Sequence, residues 1–204
     1  MSTPSTINYR DPLPSPFSSL TPLDNDSRAA DGKSLVNPLS RKEGHPDGKE
    51  RSEWYERYPE EIDESNNAFD FHIYYSSARQ MDHARKLHER IRREFPELRV
   101  YRFWDKPVGP HPVPMFEVNT FTPAQFGAFF GFLVAYRGDL SVLIHPNTDN
   151  ELADHTTKAT WMGPPYPLNV EPLRVHTGRF LFDQQRQQGK QLEGDEKKET
   201  DVVR

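Results

Sequence analysis

Across residues 69–75 the chain alternates: Phe69, Phe71, Ile73 and Tyr75 lie on one side of an extended segment, and Asp70, His72 and Tyr74 on the other. That period of two predicts a strand with one face turned to a core. The period then changes. Ser76 or Ser77 can cap a helix reaching Phe95, in which Met81, Ala84, Leu87, Ile91 and Phe95 share a stripe and Pro96 supplies the stop. Residues 100–104 are β-branched or aromatic at most positions, and the proline-stiffened run 107–114 leads into a third strand over 115–119. Thr122 and Pro123 open a second helix, apolar at Phe126, Phe129, Phe130, Leu133 and Val134 and stopped by Gly138, before a fourth strand over 140–145. The order β-α-β-β-α-β predicts an α+β, ferredoxin-like split βαβ fold. It has a four-stranded antiparallel sheet in the order 4-1-3-2, both helices on one face, and the other face open.

Composition confines this fold to the middle of the chain. Of 204 residues only 34% are hydrophobic, against roughly 45–50% apolar in ordinary globular chains, and 19 prolines are present. Residues 1–52 carry no sustained period and are expected to form a disordered arm, and 183–204 a disordered charged tail, flanking a domain over 53–182. In the arm, Ser-Pro and Thr-Pro dipeptides offer regulatory sites; in the lead-in, Trp54 and Tyr58 offer aromatic anchors. The absence of cysteine excludes a disulfide framework, a thiolate nucleophile and Cys-ligated metal. No spanning segment or secretory signal is read, so a cytoplasmic protein without a membrane partner is expected. A formal charge of -5 gives no footprint for nucleic acid.

Chemistry-bearing residues gather on the face away from the helices. If Phe71 and Ile73 point inward, Asp70, His72 and Tyr74 point outward; in the third strand Met115, Glu117 and Asn119 share that side, and in the fourth Ser141, Leu143 and His145. His111, in Gly109-Pro110-His111-Pro112, completes or flanks the group. Neutral imidazoles and a carboxylate suit non-haem Fe(II), held on one triangular face with the other left for substrate and dioxygen. Which three of His72, His111, Glu117 and His145 bind metal stays open at this level. Glu117 has a second reading as a cross-strand partner of Arg99 or Arg102. Tyr74, Trp104 and Trp161 read either as packing or as walls for an aromatic ring. His83, His88, His45 and His176 read as solvated or rim residues.

Several linked segments carry a family resemblance: His72-Ile73-Tyr74-Tyr75, Val108-Gly109-Pro110-His111-Pro112, Met115-Phe116-Glu117-Val118 and Val142-Leu143-Ile144-His145-Pro146-Asn147-Thr148, with Asp154-His155-Thr156 and Trp161-Met162-Gly163. Together they resemble the fungal and bacterial DOPA 4,5-dioxygenase family over about residues 69–163. Asp149-Asn150 departs from the Gly-Asp type turn common there. The resemblance implies extradiol opening of a DOPA-like catechol by O2 with non-haem Fe(II), zinc being a replacement metal. On that reading His155 is the acid/base, His111 its runner-up, and Tyr74, Trp104 and Asn147 border the substrate. Asp154 is read as the cap of the segment that follows it. Two other classes are carried alongside: a non-enzymatic module that dimerises through the open face with Tyr74 and Phe116, and a hydrolase with a His-ligated zinc. A homodimer is expected with either enzyme, to cover an open face or edge.

Overall fold

The computed structural model describes residues 21–37, 52–59, 61–62 and 67–174. The chain divides into two compact units, Met1–Tyr58 and Pro59–Arg204. In the first, an antiparallel bridge pairs Arg28 with Leu35, and the Asp24 and Asp31 carboxylates accept backbone N–H groups two and three residues on. A 3-10 turn, Glu53–Tyr55, is capped by Ser52. Residues 1–20, all of 38–51 and the expected tail over 183–204 lie outside the described residues, as do His45 and His176.

The second unit contains β1 (Phe69–Tyr74), α1 (Ala78–Glu94), β2 (Arg99–Val100), β3 (Met115–Thr120), α2 (Pro123–Tyr136), β4 (Val142–Pro146), α3 (Glu151–Asp154) and β5 (Thr160–Met162). Its sheet is antiparallel, in the order β2-β3-β1-β4-β5. The predicted order of the first four strands stands, and a fifth joins beside β4. Among the described residues no helix is long and apolar enough to cross a membrane.

Both helices begin as the sequence dictates: Ser77 accepts from the Gln80 N–H, and Thr122 from the Gln125 N–H. The core lies between them and the sheet. Phe71, Ile73, Phe116, Val118, Val142 and Ile144 meet Ala84, Leu87 and Ile91 of α1 and Phe129, Phe132 and Leu133 of α2. Each large apolar side chain buried there contributes roughly 1.5–3 kcal/mol. The predicted stripe on α2 needs correction. Phe130 and Val134 are exposed and Phe132 is buried, because the helix turns its Phe129, Phe132 and Leu133 side inward at spacings of three and four residues.

The second strand is shorter than its β-prone residues suggest. Beyond Val100, the Tyr101 N–H still donates to the Glu117 carbonyl, but the next bond runs from Trp104 to Met115. Three residues on one side therefore oppose two on the other, a bulge that shifts the register. Phe103 thereby joins the helix-side core and Trp104 the opposite face.

That opposite face is not open, as predicted, but covered by loops. Tyr74, Met115 and Leu143 are buried there beneath Trp104, Val108, Val113, Trp161, Tyr166 and Leu168. A turn closed by Val108 and His111, with Gly109 at φ 57, presents His111; the Asn169 N–H donates to the Pro110 carbonyl and ties the later loop to it. Tyr74 and Phe116 are fully buried, so dimerisation through exposed Tyr74 and Phe116 loses its surface. So does the part of the homodimer expectation that rested on a wet sheet face.

Candidate metal centre

Strand register brings the first histidines together. His72 pairs with Glu117 across β1 and β3 and with Leu143 across β1 and β4, while Asp70 pairs with Asn119 and His145. All these side chains except Leu143 are polar and share one face with it, since Phe71 and Ile73 take the other. Two loops add His111 and His155. The four imidazoles are buried and close: ring centroids lie 4.1 Å apart for His72 and His111, 5.1 Å for His72 and His145, and 4.0 Å for His145 and His155.

Hydrogen bonds define how each ring is turned. His145 Nδ1 donates to the Pro146 carbonyl at 2.8 Å, and His155 Nδ1 to the Glu151 carbonyl at 2.9 Å. A carbonyl only accepts, so in these neutral rings Nε2 keeps its lone pair. His111 Nδ1 pairs with the Tyr74 hydroxyl at 2.7 Å. His72 and His145 meet through their Nε2 atoms at 3.0 Å, whereas His72 Nδ1 is buried with no hydrogen-bond partner.

The electrostatics keep the cluster uncharged. Burial, and then the neighbouring rings, hold His72 well below the ordinary histidine value; burial brings His111 and His145 down to about 3 and lowers His155. Neutral imidazole is the metal-binding form. Among the carboxylates, burial and the adjacent Glu117 push Asp70 up to about 7, and burial raises Glu117. The Asn119 amide donates to Asp70 Oδ1 at 2.5 Å and to Glu117 Oε1 at 2.7 Å.

Among the described residues, two sets of ligand atoms lie within 4.8 Å of one another: His72, His111 and His155; and Asp70, His72 and His145. Both suit a metal ion. Two imidazole–metal bonds of about 2.0–2.1 Å at a right angle span about 3 Å, the separation of the His72 and His145 Nε2 atoms. Asp70 Oδ2 stands 3.9 Å from His145 Nε2.

Glu117 is in neither set; its Oε2 lies 3.9 Å from His72 Nδ1. Burial raises Glu117, and the Asn119 hydrogen bond and the charge of Arg99 only partly oppose that rise, while the Arg102 guanidinium sits over the Trp104 ring at 3.7 Å. Tyr74 is stacked on Trp161 at 5.4 Å, and Trp104 packs in the same apolar cluster. Asn147 follows β4, its backbone N–H bound to the Ala68 carbonyl and its amide nitrogen buried. Asp154 does not cap the segment after it; its carboxylate reaches back to Thr148, and Asn150 caps α3 instead. His88 donates to the Tyr101 carbonyl, and His83 lies against the position of Gly138, both away from the cluster. Asp70 is the ligand-capable residue that reasoning from sequence left out of the metal set, although its place two residues before His72 put it on the right face.

The segment that supplies these residues is also the one that matches known proteins. A model of the Dopa 4,5-dioxygenase family matches residues 69–172, from β1 through the loops that supply His111 and His155. An uncharacterised 21.2 kDa protein of Botryotinia fuckeliana is 48% identical over 184 residues, spanning 85% of this chain and 95% of that one. The DOPA 4,5-dioxygenase of Amanita muscaria is 34% identical over 122 residues, 56% of this chain and 53% of that enzyme, so the match spans about half its length. The crystal structure of a candidate dioxygenase from Nostoc punctiforme superposes with a TM-score of 0.51 at 36% identity, over 56% of this chain and 94% of that one. With a family match over just over half its length, covering every histidine of the cluster, this chain belongs to the Dopa 4,5-dioxygenase family.

Proposed function

We propose that the protein is an extradiol dioxygenase that opens DOPA-like catechols with Fe(II) and O2. The observation that carries the reading is the set Asp70, His72 and His145, two imidazoles and a carboxylate on adjacent strands of one sheet. Two histidines and a carboxylate with open positions are the ligand set of non-haem Fe(II) oxygenases. Iron held by Asp70, His72 and His145 would supply a Lewis acid for the catechol oxygens and a path for electrons to O2.

The remaining groups act around that seat. His155 holds its proton at Nδ1 against the Glu151 carbonyl, so its Nε2 is placed to accept the proton a catechol loses on binding and to return it when the ring opens. His111 is the second proton acceptor and is held by Tyr74. Trp104, Trp161 and the loops above Tyr74 keep water from the sheet face. Asn147, half-buried just after β4, is the proposed contact for the substrate's polar groups. The test is anaerobic loading with Fe(II), addition of DOPA and air, and mass spectrometry. A product heavier than DOPA by both atoms of one O2 supports the reading, and recovery of unchanged DOPA from the iron-loaded protein contradicts it.

The His72, His111 and His155 set favours a second reading, a three-histidine zinc site with hydrolytic chemistry. Turnover of a hydrolysable substrate by the zinc-loaded protein without oxygen would select it.

A further inference from the structure

We infer that Glu117 is the positioning residue of the centre: its Oε2 receives the Nδ1 proton of His72 and so frees Nε2 of His72 to bind metal. The inference rests on the metal-centre reading above and adds a role that neither ligand set contains. Its first support is an asymmetry among the four histidines. His145, His155 and His111 each have a hydrogen-bond partner at Nδ1; His72 alone among them has none, although this nitrogen is buried. The acidic group facing it is Glu117, with Oε2 at 3.9 Å. Glu117 Oε1 is already committed to the Asn119 amide, so Oε2 is the oxygen left for the ring. A shift on the order of 1 Å turns this approach into a hydrogen bond.

The second support is a proton count. His145 donates through Nδ1, so its neutral ring brings only a lone pair to the 3.0 Å contact with His72 Nε2. That contact needs a proton, and His72 must supply it. Without metal, His72 is therefore the Nε2–H tautomer, which leaves Nδ1 bare and explains its lack of a partner. A metal on Nε2 requires the other tautomer, with the proton on Nδ1. Outer-shell carboxylates fix ligating histidines in this way, and losing one typically costs 10–100-fold in metal affinity. Asn119, bridging Glu117 and Asp70, keeps both carboxylates aligned across the strands.

The experiment uses the full chain and two metals. Nitrogen–proton NMR reads the His72 tautomer before and after Zn(II), a diamagnetic probe, and Fe(II) affinity is measured by anaerobic titration for the wild type, Glu117→Gln, Glu117→Ala and Asn119→Ser. The expected result is a change from Nε2–H to Nδ1–H on Zn(II) binding. Fe(II) affinity should fall 10–100-fold in Glu117→Ala and stay within a few-fold in Glu117→Gln, which keeps an acceptor oxygen. Asn119→Ser, which removes the amide holding Glu117, should fall between them and carries the comparison if Glu117→Ala does not fold. Equal losses in the Gln and Ala variants would make Glu117 a ligand and overturn the inference. Unchanged affinity in the Ala and Ser variants would overturn it too. A wild-type chain that binds neither metal would overturn the metal-centre reading itself.

Discussion

The Asp154 carboxylate accepts hydrogen bonds from both the backbone N–H of Thr148, at 2.8 Å, and its hydroxyl, at 2.7 Å. This clamp joins the residue before His155 to the turn that leaves β4 just after His145, with Lys158 closing on the same carboxylate at 3.3 Å. Two histidines supplied by different segments are thus held in one frame. Replacing Asp154 with Ala leaves the Thr148 donors without their acceptor, and a loss of roughly 1–3 kcal/mol in stability is expected. Denaturant unfolding of the variant checks this, and a stability equal to wild type would show that the clamp is dispensable.

Tyr74→Phe removes the hydroxyl on His111 and keeps the ring stacked on Trp161. The expected effect is a stability loss of roughly 0.5–1.5 kcal/mol, with a clear fall in turnover as His111 loses its orientation. Tyr74→Leu, which also removes the stack, should cost more by thermal unfolding. Full activity in the Phe variant would mean that His111 needs no orienting partner.

Gly109 turns the chain at φ 57 so that His111 enters the cluster, and a methyl group there would meet nothing within 4 Å. The cost of Gly109→Ala is therefore conformational, about 1–2 kcal/mol for the left-handed backbone. A more stable Ala variant, measured by the same unfolding assay, would show that the turn relaxes to another geometry.

Acid should destabilise the metal-free protein through His72, His111, His145 and His155. Their folded values lie below the ordinary 6.5, with His111 and His145 at about 3. Above 6.5 neither state holds the proton, and the groups make no difference. Below it the unfolded chain takes up protons that the fold refuses, so stability is lost as pH falls from about 6.5 toward about 3. Asp70, raised to about 7, and Glu117 and Asp154, also raised, act in the opposite direction and offset part of this loss. Comparing wild type with His111→Asn isolates one imidazole. Their stability difference should change by up to about 1.4 kcal/mol per pH unit inside that window, in favour of the variant at lower pH. Parallel curves would mean that His111 takes up its proton equally in both states.

Much of this architecture is legible in the chain because it is local. The alternation around His72 sets its face, the caps at Ser77 and Thr122 set the helices, and strand order follows from their sequence. Placing His72 and His145 on one surface needs only that order and a period of two. The rest depends on contacts distant in sequence. β5 is three residues long, too short for a period, and exists because Trp161 and Met162 find Leu143 and Val142. The bulge before Trp104 is visible only once Met115 is its partner. Loops covering the sheet face lack periodicity, and their apolar residues, Val108, Val113 and Leu168, are scattered among prolines. Asp70 and Glu117 illustrate the same limit: both lie on the site face, and only the register with His145 and His72 separates a residue of the ligand-capable set from one beside it.

Oxygen-dependent catechol cleavage is proposed at the His72–His145 seat. The decisive assay is oxygen consumption by the Fe(II)-loaded chain on addition of DOPA, run beside His145→Ala. The wild type should take up one O2 per catechol consumed, and the variant should lose that uptake. Iron demonstrably bound with no oxygen uptake, or equal uptake by His145→Ala, would contradict this proposal.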